Sequence, residues 1–351
     1  MNNQQTLKNQ NNSNTILWQA QSLSERTIPS LVTEFLRTKK SSQTKKAYQQ
    51  DILQFFEQIQ IATAWQLITV PIYDLSTTII NYTESFKKSE EYREDRILNP
   101  RTINRKAYAL SSFFEFLVAN YGYPRNPVKV FIPYSTPSRT STDDLTADEL
   151  NAYWQYVQNY TSILRSWDDT KPKALLSSYQ QLLIVGFLML SLRRNEVANL
   201  RRDDRNIKQW TITVYGKWQK VKYLPIPNKV SNYLQTYQAL KSTHGYTSDY
   251  VFSPINNNRS WDFTKPISGT YIFNLVKKIT QHLQVEWVVD IDKKITPHSF
   301  RTTFVKLALD KNCTDIEIMN ATGHWSAQMV KYYDARSPIE VNAANAMDDI
   351  F

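Results

Sequence analysis

Between Asn126-Pro127 and Thr146 the chain changes character: Pro133, Pro137 and the run Ser138-Arg139-Thr140-Ser141-Thr142 replace the apolar periodicity on either side. A stretch of this composition offers no repeating apolar face, so no single core can run through it and the chain must fold as separate bodies. For 351 residues the length prior of about two domains agrees. We expect a helical unit over residues 28–128, a linker over 129–144 and a second unit over 145–336. Residues 1–27 are read as a disordered or arm-like tail, whose first fourteen residues are rich in Asn and Gln and lack the basic and apolar regions of a signal peptide. Residues 337–351 form a second tail with Ile339, Val341, Ala344 and Met347 at helical spacing.

In the first unit, Tyr48, Ile52, Phe55, Phe56 and Ile59 recur at helical intervals after the polar Ser41-Ser42-Gln43-Thr44, with Lys45 and Lys46 off the stripe. A second amphipathic pattern follows Pro100: Ala107, Leu110, Phe113, Phe114 and Leu117 share a face, led by Arg101, Arg105 and Lys106. Two helices with cationic first turns suit contact with phosphates. The competing reading, that these cations are the wet faces of bundle helices, is equally compatible with the pattern. A formal charge of +10 favours a polyanionic partner, nucleic acid ahead of a membrane. The longest apolar run, Leu182 to Leu190, falls well short of the roughly 20 residues that cross a bilayer. A single cysteine, Cys313, excludes an internal disulfide framework and fits a reducing, cytoplasmic setting.

The second unit opens on Thr146-Ala147-Asp148-Glu149, a capping box. An apolar helix, Tyr179 to Leu192, runs into Arg193-Arg194-Asn195-Glu196-Val197. Residues 210–215 and 221–226 read as strands joined by a hairpin tip that raises Lys217 and Lys220, and the pattern is mainly helical thereafter. The densest chemistry lies between Thr296 and Asp334. His298 and Arg301 stand three apart at the start of an apolar helix, where the helix end and the guanidinium both attract anions. Gly323-His324 follows, and Tyr332-Tyr333 offers a phenol able to attack a phosphate held there. Arg193 and Arg301 are suited to clamping that phosphate, since a planar fork donates two parallel hydrogen bonds. A structural pairing of Arg193 with Glu196, and a solubilising role for Lys217, are the competing readings.

Other chemistries lack their parts. Six glycines fall in no phosphate-cradling loop, so ATP is not implied. The histidines at 244, 282, 298 and 324 have no metal-ligand spacing, and we expect no catalytic metal. No G-x-S-x-G elbow marks a serine hydrolase.

The ordered set Ser191-Leu192-Arg193-Arg194-Asn195-Glu196-Val197, Gly216-Lys217, His298-Ser299-Phe300-Arg301, Gly323-His324 and Tyr333 resembles the active-site motifs of the tyrosine recombinases of the phage integrase class. Residues 42–48 and Thr102-Ile103-Asn104-Arg105 with Ser111-Ser112-Phe113-Phe114 are similar to that family's helical core-binding domain, so the likeness runs from about Ile28 to about Asp334. Arg194, Asn195 and Trp218 depart from the family pattern; Lys220 is the alternative to Lys217, and Tyr332 to Tyr333.

The resemblance implies a mainly α fold with a small antiparallel β-sheet in an α+β catalytic domain, and a helical N-terminal core-binding domain completing a two-domain DNA clamp. It implies site-specific strand exchange on double-stranded DNA, without metal, ATP or other cofactor, through a 3′-phosphotyrosine made by Tyr333. Arg193, Arg301 and His324 would stabilise the transition state, His298 would assist proton transfer and Lys217 would protonate the leaving oxygen. Four protomers would assemble on paired sites, with the C-terminal tail docking on a neighbour or on its own chain. A topoisomerase-like or hairpin-forming enzyme, and a non-catalytic DNA-binding relative, are the alternatives.

Overall fold

The computed structural model describes residues 25–87, 98–136, 143–166, 172–206, 209–216, 221–254, 262, 264–324 and 326–331. The chain divides into two compact units, Met1–Arg139 and Thr140–Phe351. Lys217, Lys220, Tyr332, Tyr333 and the tail 337–351 lie outside the described residues, as does 1–24.

The described part of the first unit is helical: α1 (Ile28–Arg37), α2 (Ser42–Gln58), α3 (Ala64–Thr69), α4 (Ile72–Ser85) and α5 (Pro100–Tyr121). Local chemistry sets the ends. Ser41 caps α2 by accepting from Thr44 N, Thr63 and Gln66 form a reciprocal box at α3, and α5 starts on Asn99-Pro100 and stops at Gly122 in the left-handed region. The apolar stripes meet in an aromatic core in which Phe113 packs edge-on against Phe35 and Phe56, with ring centroids 5.6 and 5.8 Å apart. Lys129 to Tyr134, at the start of the stretch read as a linker, stays fastened to this unit: Asn104 donates to Tyr134 O and accepts from Tyr134 N, both at 2.9 Å.

One expected phosphate contact is corrected here. Lys106 is only 6% exposed, and its ammonium donates to Asp51 at 3.1 Å and to Gln54 at 2.7 Å. Its position explains why: counted along α5, residue 106 belongs with Ile103, Ala107, Leu110 and Phe113 on the inward face, where a cation survives only with a partner. Asp51, 2% exposed, supplies it and also pairs with Arg105.

The second unit is built around α7 (Pro172–Met189), which follows α6 (Ala147–Ser166). Leu176, Tyr179, Leu182, Leu183, Ile184, Val185, Phe187 and Leu188 are all buried, covering every face of α7, so the helix is apolar all round and forms the axis of the core. The expected capping box opens α6, with Thr146 N donating to Glu149 Oε2 at 2.7 Å and Glu149 N to Thr146 Oγ1 at 3.1 Å. After the short α8 (Arg194–Ala198) come β1 (Arg205–Asn206), β2 (Thr211–Tyr215) and β3 (Val221–Pro225), an antiparallel sheet in the order β1-β2-β3. The β2–β3 register pairs Val214 with Lys222 and Tyr215 with Val221, and turns Ile212, Val214 and Leu224 into the core. Helices α9 (Asn228–Thr243), α10 (Gly269–Val285), α11 (Pro297–Asp310), α12 (Asp315–Thr322) and α13 (Ala327–Lys331) complete the unit. A separate small cluster of Val305, Leu309, Ile318 and Val330 fastens α11, α12 and α13 to one another. The fold is thus mainly α with a small antiparallel sheet. Among the described residues no helix is long and apolar enough to cross a membrane.

Candidate active site

Arg193 is delivered by a turn at the end of α7. Ser191 adopts φ +68° there, a left-handed conformation that costs a non-glycine residue about 1–2 kcal/mol, and α8 starts immediately after Arg193. The conformation places the Ser191 carbonyl opposite Arg301, whose Nη1 donates to it at 3.0 Å. Arg301 is 1% exposed, one of the largest fully buried side chains, and reaches this carbonyl from the second turn of α11. Two arginines 108 positions apart in the chain are therefore brought to one cleft of about 630 Å³, lined also by Glu196, Thr296, Pro297, His298 and Gly216.

Glu196 sets the direction of Arg193. Its carboxylate accepts from Arg193 N at 2.9 Å and from Arg193 Nη1 at 2.8 Å, so the pairing weighed from sequence is present. It orients the guanidinium while leaving the side chain half-buried and lining the cleft. Burial opposes the charge on Glu196, but Lys222 and Arg193 outweigh it and hold the carboxyl below its usual range. His298 is exposed in the first turn of α11, where Thr296 caps the helix by accepting from His298 N at 3.2 Å.

His324 follows α12, which ends at Gly323 with φ +69° and Gly323 N donating to Met319 O at 2.7 Å. His324 is 2% exposed, and burial, then Arg301, Arg193, His298 and Lys222, push its pKa down to about 3. The imidazole is consequently neutral at physiological pH and acts as a dipolar hydrogen-bonding group. A proton would add a further positive charge to a group of cations.

The linkage has a definite sign. The folded pKa of about 3 lies below the ordinary 6.5, so folded protein binds fewer protons than unfolded protein between those values. The contribution is complete above pH 6.5 and is lost as pH falls toward 3. His324→Gln, which cannot titrate there, should show a smaller drop in denaturant midpoint than wild type between pH 7 and pH 4. Gly323→Ala should lower the stability of the second unit by about 1–2 kcal/mol in denaturant unfolding, because alanine must hold the left-handed backbone.

The structure thus brings together Arg193, His298, Arg301 and His324; Lys217 and Tyr333 fall outside the described residues. Of the candidate DNA contacts, Lys46 and Arg101 are exposed and Lys45 half-buried on the leading turns of α2 and α5, Arg105 pairs with Asp51, and Lys106 turns inward. Sequence reading did not select Lys222, which is 7% exposed and 3.3 Å from Glu196. The signal was present, since residue 222 shares the inward register of β3 with Leu224. Among the described residues no group of three or more His, Cys, Asp or Glu side chains is arranged to hold a metal.

Comparison with known proteins shows the family. The model of the phage integrase family matches residues 154–338, just over half of the chain. A tyrosine recombinase of Agathobacter rectalis is 25% identical over 293 residues, covering 83% of this chain and 85% of that protein. The tyrosine recombinase XerC of Pediococcus pentosaceus is 26% identical over 250 residues, covering 69% of this chain and 73% of its own. Among solved structures, the Tn1549 transposon integrase in complex with circular intermediate DNA superposes with a TM-score of 0.61 at 16% identity, covering 93% of this chain and all of that one. That likeness is one of fold. With Arg193, Arg301 and His298 lining one cleft and the family model lying within the same unit, the chain belongs to the phage integrase family of tyrosine recombinases.

Proposed function

We propose that this recombinase cuts and rejoins double-stranded DNA at a specific site by the following division of labour. Tyr333 attacks a backbone phosphorus, forming a 3′-phosphotyrosine and releasing a 5′-hydroxyl; a 5′-hydroxyl from another strand then reverses the step. Arg193 and Arg301 carry the charge that develops on the non-bridging oxygens, and neutral His324 adds a hydrogen bond to them. His298, exposed at the mouth of α11, accepts the phenolic proton, and Lys217 protonates the leaving oxygen. The observation that carries this reading is the convergence of Arg193 and Arg301 on one cleft, a geometry suited to a phosphodiester with its two non-bridging oxygens.

The helical unit contributes Lys45, Lys46, Arg101 and Arg105 to the phosphate backbone, with the protein working as a homotetramer on paired sites in the cytoplasm. The C-terminal tail is assigned to a neighbouring copy. A groove of about 610 Å³ with Gly186, Met189, Leu190, Phe304, Leu307 and Lys311 in its walls would suit such a tail, which offers Met347, Ile350 and Phe351 beside Asp348 and Asp349.

The test uses a duplex carrying a site selected by the protein from a random-sequence pool, nicked so that cleavage releases a short fragment. Denaturation should leave protein covalently joined to the 3′ end, and a supplied 5′-hydroxyl strand should be joined in its place. An absence of adduct would sink the catalytic reading, and hairpin products without strand joining would favour a hairpin-forming enzyme. Binding to the same duplex should weaken by on the order of a thousandfold between 50 and 200 mM salt, as phosphate contacts release counterions. A flat salt response would remove the helical unit's lysines and arginines from the interface.

A further inference from the structure

Lys222 is a cation built into the interior of the second unit. It stands on β3, opposite Val214 of β2, and its side chain points into the core beside Leu224. Three acceptors surround the ammonium: Ala321 O at 3.1 Å, Thr322 O at 3.5 Å and Glu196 Oε2 at 3.3 Å. The first two are the last carbonyls of α12, the negative end of that helix and the segment that hands the chain to Gly323-His324. The third is the carboxylate that grips Arg193 through both its backbone and its guanidinium. A methyl group placed on Gly323 would lie 3.6 Å from Lys222 Cδ and 4.0 Å from Arg193 Nη1, so the lysine stem and the arginine both lie close to the turn before His324.

Burying an ammonium is costly, and the site shows the cost: desolvation, with Arg301 and Arg193 nearby, lowers Lys222 to about 8 even though Glu196 favours its charge. A neutral strand residue would pack here without that penalty. The three acceptors it holds lie on the two segments through which separate parts of the catalytic cluster are placed. α12 leads through Gly323 to His324, α8 carries Glu196 and with it holds Arg193, and β3 begins four positions after Lys217 in the chain.

We propose that Lys222 is a positioning residue for strand cleavage, tying the C-terminal carbonyls of α12 to Glu196 and thereby fixing His324 and Arg193 at one spacing across the phosphate. The inference rests on the catalytic reading above and adds a residue that does not itself touch DNA. Lys222→Met keeps the length and apolar stem and removes the ammonium; Lys222→Gln keeps a donor for the carbonyls without the charge.

The test is single-turnover adduct formation on the selected nicked duplex, with DNA affinity and thermal unfolding measured on the same preparations. Lys222→Met is expected to unfold cooperatively, to bind DNA within about twofold of wild type and to form adduct about tenfold more slowly, with Lys222→Gln between the two. The same substitution in a His324→Gln background should slow the reaction by less than about threefold, because one side of the spacing that Lys222 fixes is already gone. Equal factors in both backgrounds, or wild-type rates in a folded Lys222→Met protein, overturn the proposal. Failure of both variants to fold also overturns it, since Lys222 would then serve the fold as a whole. If wild type itself forms no adduct, the catalytic reading falls and takes this inference with it; wild-type adduct with an unaffected variant removes only the inference.

Discussion

Arg301→Lys is expected to slow formation of the covalent adduct by about 10²–10³-fold, the usual loss when one preorganised donor to a developing oxyanion is removed. The substitution keeps the charge and much of the buried stem, so DNA affinity should fall by no more than about tenfold and the unit should still fold. What it removes is the fork. Arg301 donates through Nη1 to Ser191 O while the same planar group lines the cleft. A lysine ammonium is a point donor on a shorter reach and cannot meet both demands in one orientation. Single-turnover cleavage of the nicked duplex decides the matter. A loss under tenfold would mean that Arg301 is a structural cation and that Arg193 carries the oxygen charge alone.

Tyr333→Phe should remove adduct formation altogether, a loss on the order of 10⁴-fold or more, with DNA binding unchanged. The phenyl ring keeps the size and apolar character of the side chain and loses only the oxygen that would bond to phosphorus. Tyr332→Phe is the matched control, with one hydroxyl deleted from the adjacent position of the chain, and it should retain most of the wild-type rate. Tyr333 is preferred because it lies nine positions after His324, the family spacing. The reverse outcome, adduct lost in Tyr332→Phe and kept in Tyr333→Phe, would exchange their roles without disturbing the rest of the site. Adduct retained in both single variants and in the double variant would remove tyrosine chemistry from this chain.

How much of this was legible beforehand depended on whether local spacing carried the information. His298 and Arg301 could be placed because three residues on a helix start put both on one side of it, and Arg193 because it stands at the edge of an apolar helix, with Glu196 within pairing distance in the chain. The strands at 211–215 and 221–225 followed from alternation. Lys106 was misplaced because its charge was read ahead of its register; residues 103, 107, 110 and 113 already define an inward face that includes it. Lys222 was passed over because the inward register it shares with Leu224 was not followed along the strand. In both cases the burial became understandable only once the acid across the gap was known: Asp51 from α2 in one, Glu196 from α8 in the other. Nothing local announces the left-handed backbone at Ser191, because serine has no preference for it. That conformation is imposed by what the carbonyl must reach.

That reach, from Ser191 O to the Arg301 guanidinium, spans 110 residues of chain. The Lys222 to Ala321 bond spans 99 and the Leu145 to Thr303 bond 158. Contacts of such separation require large loops to be closed, so they belong to the slow, late part of folding and are not available to short fragments. A chain still emerging from the ribosome cannot hold Arg193 and Arg301 together before α11 has been made, and a partly opened unit loses the pair as soon as α11 lifts from the end of α7. An enzyme that breaks DNA backbones is in this way kept harmless by topology: cutting power is a property of the finished fold only.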